Sequence, residues 1–263
     1  MLSRFRDTVI SIWTWGILTV LSVVYFPIVL LLRIVLWPID RWNYTGGRLF
    51  RSIALPMVHL NPRWHFEIRG TPPANPRHPY VVIANHESFA DIVLLSLLPW
   101  EMKWLSKVSI MRVPFFGWIM WAARDIPVHR GMAASARAAI AECSRRLKGH
   151  MSIMIFPEGT RSPTRDLLPF KDGAFRLAID HQVPILPIAI YGTRQAIAKH
   201  DWRIGATHAV ARILEPIPTE GLVPKDLQGF KRRVQELVDA ARSELRAELE
   251  GEDATSGGPP AAP

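Results

Sequence analysis

The sequence predicts an α/β fold: a single mixed-sheet domain flanked by helices and preceded by an apolar helical segment. Three observations predict it. Short β-branched runs alternate with helical patterns after residue 61. Two polar clusters each follow directly on such a run, where α/β proteins place their sites. A long uncharged stretch stands ahead of both. The expected organisation is an interfacial anchor over 1–60, a catalytic-type domain over 61–250 and a disordered tail over 251–263.

The elements follow in order. Thr8 to Leu32 is 25 residues without a charge, long enough to cross a bilayer, where about 20 apolar residues suffice. A cleavable signal peptide fits badly, because its apolar region is shorter, about 7–15 residues, and no small-x-small site follows. Trp13, Trp15, Tyr25 and Trp37 suit a membrane–water interface. Pro27 is placed to kink or break the helix, so a spanning helix and two short helices in one leaflet fit equally well. The stretch 49–60 reads as a weaker surface-lying apolar segment.

Trp64, Phe66 and Ile68 alternate with polar residues, a half-buried strand ending at Gly70. Residues 80–84 (YVVIA) are a buried strand, 91–99 a helix stopped by Pro99, and 102–106 another strand. Residues 113–121 (VPFFGWIMW) are an apolar aromatic stretch, and 125–129 a short strand. The Ala-rich segment 132–148 is helical, with Arg and Lys in its last turn and Gly149 behind it. Strands follow at 152–156, 183–191 and 208–214, with helices at 173–181 and 225–250.

Composition narrows the chemistry. With 49% hydrophobic and 21% charged residues the chain is not disordered as a whole. Its one cysteine, Cys143, excludes a disulfide scaffold and multi-cysteine metal sites, and is expected to be packed. The formal charge is +9, and residues 41–243 hold 28 basic against 16 acidic residues, a net +12. Such a body attracts anions: nucleic acid, lipid headgroups or phosphorylated small molecules. The ten Trp fit a membrane interface and an apolar pocket better than base stacking, so nucleic acid is not expected. Histidines 59, 65, 78, 129, 150, 181, 200 and 208 show no metal-ligand spacing, so no metal is expected. His181 and His200, each beside an Asp, read as surface pairs. No G-x-S-x-G occurs, which argues against a serine esterase.

The first polar cluster is Asn85-His86-Glu87-Ser88-Phe89-Ala90-Asp91. With Asp91 on one imidazole nitrogen, the other nitrogen of His86 becomes an acceptor able to take a hydroxyl proton. The rival reading is a capping box, Ser88-x-x-Asp91, at the head of a helix. The two are compatible, since one helical turn can hold Asp91 against His86. The second cluster is Phe156-Pro157-Glu158-Gly159-Thr160-Arg161-Ser162. Gly159 allows a tight turn, Arg161 can grip a phosphate, and Thr160 and Ser162 add hydroxyls. The bland reading is a surface turn with a solvated Arg161 paired weakly to Glu158.

Together, N-H-x-x-x-x-D followed by F-P-E-G-T-R-S resembles the 1-acyl-sn-glycerol-3-phosphate acyltransferase family of glycerolipid acyltransferases. KVSIMRVPFFG (107–117), IPVHR (126–130) and VPILP (183–187) resemble further blocks in the family's order, and the likeness spans roughly 60–215. It implies His86 as general base and Asp91 as its orienting partner. It implies Glu158, Gly159, Thr160 and Arg161 at the acceptor site, with Arg161 on the phosphate, and Lys107 and Arg130 as further phosphate contacts. Acyl-CoA or acyl carrier protein is the implied co-substrate, with no other cofactor. The implied reaction converts 1-acyl-sn-glycerol-3-phosphate to phosphatidic acid at a membrane, on the cytoplasmic face of the cell or inner membrane. Phe89 stands where a Trp is common, which leaves acceptor choice open. Another lysophospholipid or lyso-aminolipid is the alternative acceptor. A non-catalytic adaptor binding anionic lipid is the alternative of another class.

Overall fold

The computed structural model describes residues 2–75, 77–197 and 201–256. Among them, seven strands form one sheet in the order β1-β7-β6-β2-β5-β3-β4. They are β1 Trp64–Arg69, β2 Val81–Ala84, β3 Met102–Lys107, β4 Ile126–Val128, β5 Ser152–Ile155, β6 Ile185–Tyr191 and β7 Thr207–Ile213. Strands β6, β2, β5, β3 and β4 run parallel to one another. β7 turns back antiparallel to β6, with β1 parallel beside it. The sheet is therefore mixed, as expected.

Both faces of the central strands are covered, which is why they read as unbroken apolar runs rather than alternating ones. Val81, Ile83, Ile153 and Ile155 face helices α7 Ala133–Lys148, α8 Gly173–His181 and α9 Leu227–Ser256. Val82, Ala84 and Met154 face α4 Ala90–Ser96, through its Leu94 and Leu95. In α9, Val234, Val238, Ala241, Leu245 and Leu249 recur at helical spacing and are buried against the sheet side. This helix continues past residue 250 to Ser256, beyond the expected start of the tail. The rest of that tail, and His200, lie outside the described residues. His181 meets Ser144 at 2.5 Å rather than pairing only with its neighbouring Asp.

The N-terminal run is one helix, α1 Leu2–Val35, with Pro27 inside it. Its length and apolarity suffice to cross a membrane. It is nevertheless docked on the body over most of its length. Asp7 meets Arg63 at 2.7 Å, and Ser11 accepts from the Ile204 amide at 2.8 Å. Trp13 and Trp15 donate their indole N–H groups to the carbonyls of Leu60 and Trp202. Arg33, near the other end, donates to the Trp121 carbonyl at 3.0 Å. Phe5, Val9, Ile12, Val20, Ile28 and Leu31 remain exposed on the opposite side.

The 49–60 stretch falls in and between α2 Tyr44–Arg51 and α3 Ala54–His59. Phe50, Ile53 and Met57 are buried in a cluster with Leu18 and Val29 of α1 and with Ala90 and Val93 of α4. The same cluster takes in α6 Phe116–Ala122, the helix formed by most of the aromatic stretch, which follows the short α5 Val108–Met111. Gly117 is the close-approach point of these two: a Cβ there lies 2.2 Å from the Met111 carbonyl oxygen.

Candidate active site

Because β6, β2, β5, β3 and β4 are parallel, their carboxyl ends share one edge of the sheet. That edge gathers Thr193 after β6, His86 after β2, the 156–162 turn after β5, Lys107 ending β3, and Arg130 just past β4. Residues far apart in sequence meet there for a topological reason.

His86 Nδ1 lies 2.7 Å from Asp91 Oδ2. The same oxygen accepts the amides of Glu87 at 2.8 Å and Ser88 at 3.0 Å. Oδ1 of Asp91 accepts the Thr193 hydroxyl. Asp91 is fully buried in the first turn of α4, so these bonds replace its lost hydration. The N-cap of α4 is Phe89, with no side-chain cap, so Ser88-x-x-Asp91 does not form the capping box; Asp91's bond to the Ser88 amide ties the loop to the first turn and its bond to His86 orients the ring. The Ser88 hydroxyl instead donates to the Ile197 carbonyl at 2.8 Å.

The Asp91 acceptor fixes Nδ1 as the protonated nitrogen, leaving Nε2 as an acceptor with no partner among the described residues. The ring stacks on Phe156, centroids 4.1 Å apart and planes 17° apart. Asn85 pins the loop behind it, exchanging two hydrogen bonds with the Ile190 backbone at 2.7 and 2.9 Å. The Ser162 amide donates to the His86 carbonyl at 3.0 Å, tying the two clusters together.

Glu158 departs from its expected place at the acceptor. Its carboxylate turns inward, accepting the His86 amide at 2.6 Å and the Leu168 amide at 3.0 Å. Burial outweighs those donors and pushes this carboxyl up to about 7. Burial and the nearby Asp91 charge push Glu87 up to about 8. A cavity of about 10 Å³ behind His86 is lined by Glu87, Glu158, Arg165, Arg194 and Arg242, large enough for about one water.

Gly159 takes φ +73, and its missing Cβ leaves room for Lys171 Nζ. Thr160 is exposed beside it, and Arg161 is half-buried. Arg130 is held below its ordinary value by desolvation and then by the Arg161 charge, which sets the two guanidinium groups near each other. In register, Lys107 pairs with Val128, so Lys107 and Arg130 leave neighbouring strand ends. Lys107, Arg130, Arg161 and Lys171 have no carboxylate partner among the described residues. Four unpaired cations at one strand edge can hold a phosphate. Between α1, α2, α3, α4 and α6, a mainly apolar cleft with about 40 Å³ open is lined by Leu18, Phe50, Met57, Phe89, Val93 and Phe116.

Sequence reading missed Thr193 and Lys171, and gave Phe156, the first residue of the second cluster, no role. Lys171 lies downstream of the motif and offered little local signal. Thr193 offered none, because only the crossover to β6 brings it to Asp91.

The acyltransferase family profile matches residues 65–191, from β1 to the end of β6. Human 1-acyl-sn-glycerol-3-phosphate acyltransferase alpha is 32% identical over 189 residues, covering 70% of this chain and 67% of its own. The 1-acyl-sn-glycerol-3-phosphate acyltransferase of Haemophilus influenzae is 30% identical over 214 residues, 80% of this chain and 83% of its own. The crystal structure of the 1-acyl-sn-glycerophosphate acyltransferase PlsC of Thermotoga maritima matches with a TM-score of 0.76 at 25% identity, covering 93% of this chain and 98% of that one. The likeness thus takes in the helical N-terminal part as well as the sheet, and the chain belongs to the 1-acyl-sn-glycerol-3-phosphate acyltransferase family.

Proposed function

We propose that the protein moves a fatty acyl group from an acyl thioester to the free hydroxyl of 1-acyl-sn-glycerol-3-phosphate, giving phosphatidic acid. The observation that carries this is the His86–Asp91 pair, whose free Nε2 shares a strand edge with four unpaired cations. His86 Nε2 takes the proton of the acceptor hydroxyl as its oxygen attacks the thioester carbonyl. Asp91 stabilises the imidazolium that forms. The tetrahedral intermediate collapses, the carbon–sulfur bond breaks, and the imidazolium returns its proton to the leaving thiolate. Arg161, Arg130 and Lys107 hold the acceptor phosphate, joined by Lys171; Thr160 and the Gly159 turn border it. Glu158 positions the His86 backbone instead of touching substrate.

The acyl donor is acyl-CoA or acyl carrier protein, both anionic and suited to a basic body. The enzyme acts at the bilayer, on the cytoplasmic face of the cell membrane, where such donors are made. The docking of α1 along the body favours a helix lying in one leaflet over one crossing both, since a crossing would draw the attached body into the hydrocarbon.

The test is acyl transfer to a panel of lysophospholipids and lyso-aminolipids, with products detected by mass. Lysophosphatidic acid should be the best acceptor, and His86→Ala should abolish turnover with the fold retained. Arg161→Lys should raise KM for the phosphate acceptor more than for the donor, because the planar fork is lost. Turnover by folded His86→Ala near the wild-type rate would refute the catalytic assignment. A better rate with a phosphate-free acceptor would refute the substrate.

A further inference from the structure

At the end of α1 near Arg33, basic and aromatic side chains gather around a cavity of about 500 Å³. Arg33, Trp121, Arg124, His129, Arg145 and Arg146 line it. It lies along the edge strand β4, with β5 and β3 between it and the strand that carries His86. The Arg33 guanidinium sits 4.1 Å from the Trp121 ring centroid. Arg124 lies 4.7 Å from Trp37 and 5.7 Å from Trp42. Arg146 and Arg41 stack on the same Trp42, at 4.3 and 5.8 Å. Stacking takes up the guanidinium faces and leaves N–H edges for an acceptor.

Acids do not balance this cluster. Glu142 pairs with Arg145 and Arg146. Asp125 is held by Arg51 at 2.5 Å. Arg33, Arg41 and Arg124 have no carboxylate partner among the described residues. The Nε atoms of Arg124 and Arg146 are buried without a hydrogen bond. Arg124 also holds φ +64, a conformation unfavourable for a long side chain unless its surroundings impose it. Desolvation, and then the charges of Arg33, Arg146 and Arg41, lower its basicity. A like-charged cluster with unspent donors is stabilised by an anion.

The surroundings identify the kind of anion. Leu31, Ile34, Val35, Trp37 and Ile39 are exposed on the same end of the N-terminal segment, Ile39 at 84%. An apolar ledge beside a cationic pocket matches an amphiphile better than a free ion. We propose that this pocket, which adjoins Lys107 and Arg130 through Val108 and His129 but is not lined by them, holds the phosphate of an anionic membrane phospholipid, with the lipid's chains along the exposed side of α1. The proposal rests on α1 being membrane-embedded, not on the acyl-transfer reading. Phosphatidic acid, the product under that reading, belongs to the same ligand class.

The full chain in neutral detergent is titrated by calorimetry with dihexanoylphosphatidylglycerol, dihexanoylphosphatidylcholine and inorganic phosphate. The anionic lipid should bind about tenfold or more tightly than the zwitterionic one, a preference that shrinks in high salt. Arg33→Gln and Arg124→Gln should each weaken it about tenfold, with the melting temperature unchanged. Arg41→Gln replaces Arg124→Gln if the left-handed position does not tolerate Gln. Arg161→Gln, which removes one of the four cations assigned to the acceptor phosphate, should leave this binding intact. Three results would overturn the proposal: no preference between the lipids, binding lost in Arg161→Gln but kept in Arg33→Gln, or inorganic phosphate binding as tightly as the anionic lipid.

Discussion

Asp91→Asn separates two jobs that one carboxylate performs. Oδ2 accepts three donors, the His86 ring N–H and two backbone amides, whereas Oδ1 accepts only the Thr193 hydroxyl. An asparagine keeps its oxygen toward the three donors and turns its NH₂ to Thr193. A hydroxyl can rotate to accept, so no donor is set against another. His86 therefore keeps its proton on Nδ1 and its free Nε2. What disappears is the charge that stabilises the imidazolium. Replacing a charge-assisted hydrogen bond, about 1.5–3 kcal/mol, by a neutral one of about 1 kcal/mol costs about 0.5–2 kcal/mol. That is about two- to thirty-fold in kcat. In the serine-protease triad the same substitution costs about 10⁴, because there the tautomer reverses. Asp91→Ala is a poorer probe, since it leaves the buried amides and the hydroxyl unpaired and so weakens the fold. The assay is the initial rate of phosphatidic acid formation at saturating substrates, beside a thermal melt. A 10⁴-fold loss in a folded variant would refute the orientation argument. Activity equal to wild type would reduce Asp91 to a tie between the loop and the first turn of α4.

Three further outcomes are expected. Phe116→Ala enlarges the apolar cleft and should shift donor preference toward longer acyl chains, each added methylene being worth about 0.8 kcal/mol, as read in competition between mixed donors. Gly117→Leu, by contrast, drives side chain into the Met111 carbonyl and should lower the melting temperature instead of reshaping the cleft. Deleting residues 1–40 uncovers Phe50, Ile53 and Met57, so gel filtration should give an aggregated or unfolded body; a monomeric, cooperatively melting fragment would contradict the docked arrangement of α1. Glu87, raised from 4.5 to about 8, stays neutral in the folded chain while the unfolded chain ionises. Its contribution to stability is full below about 4.5 and falls as pH rises toward about 8. Glu87→Gln should flatten the fall of melting temperature across that window, and an unchanged slope would refute the burial argument.

The strands and both motifs were legible because each is a local pattern. Val81 to Ala84 must be buried on both faces to be apolar throughout, and a polar cluster directly behind such a run has few places to lie. What escaped depends on distant partners. Ser11 and Thr14 look like ordinary small residues of a membrane helix, yet Ser11 accepts the Ile204 amide and Thr14 accepts the Asn61 side chain. Glu158 beside Arg161 reads as a surface pair or an acceptor contact. Only the fold brings two amides into its reach and turns it inward. Arg33 and Arg124 are separated by strands β1, β2 and β3, and no window of sequence holds them together.

Helix α4 packs against both the apolar N-terminal elements and the sheet. Leu94 and Leu95 pack on the sheet, whereas Ala90 and Val93 pack on the cluster built with α1, α2, α3 and α6. Asp91 sits between these faces, so the helix that orients His86 is also the one on which the apolar N-terminal elements rest. Trp15 of α1 approaches Phe89, with ring centroids 6.2 Å apart, two residues before Asp91. An amphiphile at this edge therefore meets apolar side chains on the α1 and α6 side and cations at the ends of β5, β3 and β4. Under the proposed function, His86 between them takes the proton of the ester-forming hydroxyl. A substrate must divide itself at that point to be bound, which selects for a hydroxyl close to both a phosphate and a hydrocarbon chain.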